Sequence, residues 1–140
     1  MKIVINDAST GLSYQKELEK DKVAMLTGKK IREKLDGGLI GLDGYSIQVM
    51  GGSNKDGLPM RGDIRGPRKA KALLRTGPGV RGLKKGQRVK KAVYGNTVSA
   101  DIVQLNVKIL VAGAKKLEEF GLVQKPKEAK PAKEEKKGKK

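Results

Sequence analysis

Residues 101–111 read DIVQLNVKILV, and the alternation in this stretch decides the fold class. Five apolar residues fall on one face of an extended chain: Val103, Leu105, Val107, Ile109 and Val111. Polar residues occupy alternate positions between them: Gln104, Asn106 and Lys108. Because side chains alternate between the two faces of a β-strand, this pattern predicts a strand with one buried face.

Five other stretches have strand character, mostly through β-branched content or alternation. They are Lys2–Asn6 and residues 11–19, 45–50, 70–75 and 87–94. In 45–50 the apolar face consists of Tyr45, Ile47 and Val49. For 11–19, a helix over residues 15–20 is the alternative. These stretches favour a mainly β protein.

Helix signals are short and confined to two places. Residues 22–35 predict one or two short helices, with Asp21 capping the first and Gly37 ending a second over 29–36. Residues 117–123 predict a helical turn that ends at Gly121. Turns are expected at 36–38 and 43–44, where Asp precedes Gly.

The predicted architecture is a small barrel-like β domain over residues 1–123, with a long basic Gly/Arg/Lys-rich insertion at 61–91. Residues 124–140, QKPKEAKPAKEEKKGKK, contain no apolar side chain larger than alanine after Gln124. Such a segment buries too little surface to offset its ordering entropy, so we expect a disordered tail.

Positive charge is concentrated in two blocks. The chain has 140 residues and a net charge of +17. Residues 61–91 hold twelve Lys or Arg and a single acid, Asp63, for a net +11, and residues 124–140 contribute +5. The rest is close to neutral, and this asymmetry points to a polyanionic partner.

The basic segment at 61–91 is predicted to bind nucleic-acid phosphates, rather than to be merely a solvated loop. Its like charges repel one another in water, and burying them unpaired would be too costly. Six of its cations are Arg, the better bidentate ligand of phosphate. The predicted RNA-binding residues are Arg61, Arg65, Arg68, Lys69, Lys71, Arg75, Arg81, Lys84, Lys85, Arg88, Lys90 and Lys91.

Several function classes are disfavoured by composition. The chain has no Cys and no His, which removes disulfides, thiolate zinc sites and the usual nucleophile–base pairs. Residues 77–82 contain G-x-G-x-x-G, but Pro78 lies inside it and no apolar helix follows, so we interpret it as a turn. The sequence predicts no enzyme, catalytic residue, cofactor, metal, membrane partner or small-molecule substrate.

Residues 49–60, VMGGSNKDGLPM, resemble the signature of the small-subunit ribosomal proteins of the eukaryotic S-six type, found in archaea and eukaryotes. The matching residues, predicted to form a turn, are Gly51, Gly52, Gly57, Pro59 and Met60. Asn54 stands where the family has Asp, and Asn can form the same side-chain turn. The resemblance continues through the basic segment to Val111.

The resemblance implies a β-rich, non-enzymatic constituent of the small ribosomal subunit that binds ribosomal RNA and adjoins neighbouring small-subunit proteins in the cytoplasm. Eukaryotic members carry a long basic helix with clustered serines. This chain has no Ser after Ser99, so it resembles an archaeal member, and regulatory phosphorylation is not implied. The alternatives are a ribosome assembly factor, a nucleic-acid-modifying enzyme and a DNA-compacting protein.

Overall fold

The computed structural model describes residues 1–113 and Leu117, and strands dominate that part of the chain. The elements in order are β1 Lys2–Asn6, β2 Ser13–Glu17, α1 Lys20–Leu26, β3 Lys34–Asp36, a 3-10 helix Gly37–Ile40, β4 Ser46–Asn54, β5 Lys69–Leu74, β6 Val89–Tyr94 and β7 Ile102–Val111. The mainly β prediction is therefore confirmed.

Strand β7 lies at the centre of a five-stranded sheet of order β2-β1-β7-β4-β3. It runs parallel to β1 and antiparallel to β4. Strands β5 and β6 form a separate two-stranded sheet. The larger sheet is open, with β2 and β3 at its edges, so a barrel-like shape is not confirmed. A basic insertion distinct from the body is not confirmed either.

The buried face of β7 differs from the predicted one at its two ends. Leu105, Val107 and Ile109 are buried as expected, but Val103 is 47% exposed and Val111 is 61% exposed. The prediction for these two valines was wrong because it assumed an unbroken alternation.

Bulges in the pairing of β4 with β7 explain the difference. Ser53 pairs with Gln104 while Asn54 pairs with Ile102, which leaves Val103 as an extra residue and turns Ile102 into the core. A second register shift lies between Ser46 and Ile47, and a third between Val49 and Gly51. The extra residues Val103 and Leu110 break the alternation of β7, so Val103 and Val111 lie outside the buried face.

The short-element predictions have mixed outcomes. The strand within 11–19 and the first helix are confirmed, and the alternative helix over 15–20 is wrong because α1 begins at Lys20. Asp21 lies in the first turn of α1, and its side chain does not cap the helix. The turn predicted at 43–44 is confirmed. At 36–38 the structure has instead the end of β3 and the start of the 3-10 helix, which Asp36 caps by accepting a hydrogen bond from Gly38 N–H (3.3 Å).

The second predicted helix, over 29–36, is wrong. Lys30 bridges Thr97, Arg32 adopts a positive φ of 73°, and β3 pairs with β4. Tertiary strand pairing overrides a weak helix propensity here. Of the helical turn predicted at 117–123, the structure describes only Leu117, which is buried in the core. The rest of that turn and residues 124–140 lie outside the described residues.

The core consists of aliphatic side chains and a few tyrosines, as the scarcity of aromatic residues requires. Ile3 and Ile5 of β1, Ile47 and Val49 of β4, and Leu105 of β7 are fully buried. Leu26, Ile40 and Leu42 from the connecting segments complete it.

Strand β4 approaches β7 so closely at Gly52 that no side chain fits. A Cβ on Gly52 would fall on the backbone carbonyl oxygen of Gln104 and lie 3.2 Å from Leu105 Cα. Backbone atoms cannot move aside as the end of a flexible side chain can. The glycine is therefore required by packing, in a sheet that holds the core together.

We expect Gly52→Ala to destabilise the protein by about 1–3 kcal/mol, the usual cost of overpacking. The matched control is Gly62→Ala, whose Cβ would meet only Ile31 Cγ2 at 3.9 Å. It should change stability by no more than about 0.5 kcal/mol. Urea denaturation of both variants measures the difference, and equal midpoints would contradict the packing argument.

Candidate nucleic-acid interface

Asn54, at the end of β4, organises the turn that follows it. Its buried Oδ1 accepts hydrogen bonds from the backbone N–H groups of Asp56 (3.0 Å) and Leu58 (2.9 Å). Its Nδ2 donates to Asp56 Oδ2 (3.0 Å). The side-chain turn expected of Asn54 is confirmed. The family's Asp has a carboxyl at this position, whereas Asn54 has an amide. The amide supplies the N–H donor that faces Asp56.

The signature segment, residues 51–60, is only partly a turn. Gly51 and Gly52 belong to β4, and the turn itself covers residues 54–58. Pro59 bridges back to Ser53, so the segment closes on itself. The prediction of a turn over all ten residues was therefore too broad, because the β4–β7 ladder continues through the glycines.

The far end of the signature segment pairs with β6. Met60 is buried and forms a parallel bridge with Tyr94. Tyr94 N–H donates to the carbonyl of Pro59, and Arg61 N–H donates to the carbonyl of Tyr94, both at 2.9 Å. This pairing joins the five-stranded sheet to the second sheet.

The second sheet, with its connecting loop, forms what we call the basic hairpin, residues 69–94. Its antiparallel register runs from Lys69 opposite Tyr94 to Leu74 opposite Val89. The predicted strand–loop–strand is confirmed. The G-x-G-x-x-G at 77–82 lies in the loop and not between a strand and a helix, so the dinucleotide interpretation has no structural support.

Eleven of the twelve predicted RNA-binding residues have exposed side chains: Arg65, Arg68, Lys69, Lys71, Arg75, Arg81, Lys84, Lys85, Arg88, Lys90 and Lys91. Lys69 forms an ion pair with Asp56, which holds the pKa of that carboxyl below its usual value. In the described part of the chain, the other ten form no side-chain hydrogen bond or ion pair.

The hairpin is amphipathic. Lys69, Lys71 and Lys90 share one face, because residues opposite each other in an antiparallel pair point the same way. Register positions on the other face include Leu74 and Val93, which are buried. Two residues depart from this separation: Lys91 lies on the apolar face but is exposed, and Tyr94 lies opposite Lys69 but is buried. Leu74 and Val93 therefore pack inward, while Lys69, Lys71 and Lys90 remain exposed.

Arg61 is unlike the other predicted ligands. Only 12% of its side chain is exposed, and it forms an ion pair with Asp63 at 2.9 Å. The Arg61 guanidinium holds the pKa of the Asp63 carboxyl below its usual value. Its Nη1 donates to the carbonyls of Thr76 and Pro78, each at 3.1 Å. The structure therefore separates Arg61 from the exposed cations.

Sequence reasoning assigned Asp56 to a turn and predicted no ion pair for either Asp56 or Asp63. Both pair with cations of the basic segment, Asp63 with Arg61 and Asp56 with Lys69. The available signal was the Arg-x-Asp spacing, with the only acid of residues 61–91 beside an Arg.

No group of three or more acidic, His or Cys side chains capable of holding a metal occurs among residues 1–113 and Leu117. Within the same residues, no helix combines the length and apolar character needed to cross a membrane.

We expect Asn54→Ala to lower the free energy of unfolding by about 1–3 kcal/mol, since it removes the acceptor of two partly buried backbone hydrogen bonds, each worth about 0.5–1.5 kcal/mol. Gln104→Ala, which removes only an exposed hydrogen bond to Asn106, is the control and should cost about 0.5 kcal/mol or less. Thermal melts compare them. A fully stable Asn54→Ala variant would refute the role of Asn54 in the turn.

Comparison with known proteins agrees with this arrangement. Residues 1–121 match the model of the family Ribosomal protein S6e. Small ribosomal subunit protein eS6 of Methanocaldococcus jannaschii is 47% identical over 119 residues, which cover 85% of this chain and 88% of that protein. The Methanosphaera stadtmanae protein of the same name is 42% identical over 119 residues (85% and 90%). That of Methanocella arvoryzae is 38% identical over 127 residues (91% and 89%).

The family inferred from the signature segment is thus confirmed, and these relatives are archaeal, as the resemblance implied. The chain belongs to the ribosomal protein S6e family.

Proposed function

We propose that this protein is a structural constituent of the small ribosomal subunit that binds ribosomal RNA through phosphate contacts from its basic hairpin and from the adjoining Arg65 and Arg68. The supporting observation is the set of ten exposed cations that have no partner within the described chain. Such a density of like charge destabilises the isolated protein, and a polyanion relieves the repulsion.

The geometry supports different roles for the two sheets, one in folding and one in RNA binding. The five-stranded sheet is nearly neutral and holds the core, while the hairpin projects cations from a base anchored at Met60 and Tyr94. Arginines bind phosphate oxygens bidentately, and lysines bind them as point charges. Phosphate contacts position the protein on the RNA without reading its sequence.

The partners are small-subunit ribosomal RNA and neighbouring small-subunit proteins, and the location is the cytoplasmic ribosome. The chain is a ribosomal protein and not an enzyme. Sedimentation of lysate through sucrose gradients at low and high salt tests the assignment. Co-migration with mature small subunits and with polysomes at low salt supports a constituent, whereas confinement to immature particles indicates an assembly factor. Release as the salt concentration rises is expected in either case, because the phosphate contacts are electrostatic.

Binding of the purified protein to a small-subunit ribosomal RNA transcript should weaken steeply with salt. If about eight phosphates are neutralised, the slope of log K against log salt is roughly −6 to −7, because each contact releases condensed counterions. Filter binding over a range of potassium chloride concentrations measures it. A slope near zero would rule out the electrostatic account.

Charge reversal of Arg68, Arg75 and Arg81 to Glu together should abolish incorporation into small subunits. All three side chains are exposed and have no side-chain partner among residues 1–113 and Leu117, so the body should retain its circular-dichroism spectrum and melting temperature. The control reverses three exposed lysines of the body, Lys20, Lys30 and Lys34, with the same change in net charge. Equal losses in both variants would argue against a specific role for the hairpin.

A further inference from the structure

The guanidinium of Arg61 donates most of its hydrogen bonds to other groups of the protein. Its Nε donates to Asp63 Oδ1 (2.9 Å) and Oδ2 (3.3 Å), and its Nη2 donates to Oδ2 (2.9 Å). Its Nη1 donates to two backbone carbonyls of the hairpin loop, those of Thr76 and Pro78. Four of the five N–H donors of the guanidinium are therefore occupied.

The loop is shaped to receive this side chain and its neighbour in the signature segment. A Cβ on Gly77 would meet Arg61 Nη1 at 3.0 Å, and a Cβ on Gly79 would meet Pro59 Cγ at 3.1 Å. Both glycines adopt positive φ angles, 98° and 86°. Two glycines of the G-x-G-x-x-G thus allow the loop to lie against Pro59 and Arg61.

Asp63 completes the contact. It is the only acid of the basic segment, and it lies where its charge opposes any phosphate that approaches Arg61. The pKa of Asp63 is lowered by its hydrogen bonds to Arg61, and the pKa of Arg61 is raised in turn, so both groups are charged at neutral pH. A phosphate ligand would gain little from a cation already neutralised by a carboxylate.

We propose that Arg61, held by Asp63, is a positioning residue that clamps residues 76–78 to the signature segment and so sets the direction in which the loop presents Arg75 and Arg81 to RNA. This inference rests on the proposed function of the hairpin. It replaces a phosphate contact at Arg61 with an intramolecular one. It also gives the Pro-Met-Arg sequence at 59–61 a single role, since Pro59 and Met60 contact the same hairpin.

If the clamp exists, Asp63→Asn should change RNA affinity in the opposite direction from the change expected from net charge alone. Asp63→Asn removes a negative charge, so electrostatics alone predicts tighter binding to RNA. Loss of the clamp predicts weaker binding, because the guanidinium loses the carboxylate that orients it. Arg61→Lys keeps the charge but lacks the planar set of donors, and should also weaken binding.

The decisive variant is the charge-neutral double substitution Arg61→Gln with Asp63→Asn. We expect its affinity for a small-subunit ribosomal RNA transcript to fall at least tenfold, while binding to poly(U) at the same salt stays within twofold of wild type. A flexible polymer responds to total charge, whereas a folded RNA requires the cations in a defined arrangement. The matched control is Lys2→Gln with Glu17→Gln, which removes an exposed ion pair elsewhere.

Unchanged ribosomal RNA affinity in the folded double variant would overturn the clamp. So would a purely electrostatic gain in Asp63→Asn. If the wild type shows no preference for ribosomal RNA over poly(U), the proposed function fails instead.

The clamp can also be tested in the free protein, without RNA, by hydrogen exchange of the arginine side chains. The Nε–H resonance of Arg61 in nuclear magnetic resonance spectra should exchange with water much more slowly than those of Arg75 and Arg81. Asp63→Asn should abolish the difference. Equal exchange rates for the three arginines in the wild type would refute the clamp, whatever the binding results.

Discussion

The pairing of β7 along both of its edges is the constraint on which the rest of the structure depends. One edge joins β1 in parallel, and the other joins β4 antiparallel over almost its whole length. Residues distant in the chain thereby bring their apolar faces together, with Ile5 beside Val107 and Val49 on the other side of it. Each such side chain contributes about 1.5–3 kcal/mol on burial, so this ladder supplies much of the core energy.

The same ladder sets the position of the basic hairpin. Strand β4 ends at Asn54, whose side chain closes the turn that returns the chain to Pro59 and Met60. These residues pair with the end of β6, where Tyr94 is buried. A two-stranded hairpin is at best marginally stable alone. Its order therefore comes from this anchorage, and any disturbance of the turn at 54–58 is transmitted to the cations.

The apolar core and the densest cluster of positive charge lie in different parts of the molecule. The five-stranded sheet carries the aliphatic core, and the hairpin carries eight of the ten exposed cations of residues 61–91 that have no side-chain partner within the described chain. Where the two regions meet, the acids Asp56 and Asp63 each pair with one cation. At this junction Lys69 and Arg61 are therefore paired, whereas the ten exposed cations farther along residues 61–91 have no side-chain partner within the described chain. This arrangement keeps the repulsion between like charges away from the core.

Local pattern in the sequence was sufficient to determine the mainly β class, the strand at each of six sites, the basic segment and the family. Strand alternation, charge density and a ten-residue signature are properties of neighbouring residues. Only the tertiary structure decided that Val103 and Val111 are exposed, that 29–36 is not a helix, that the sheet is open, and that Arg61 binds the hairpin loop. Those outcomes depend on bulges, strand pairing and contacts between residues 15 or more positions apart, whose energies no local pattern contains.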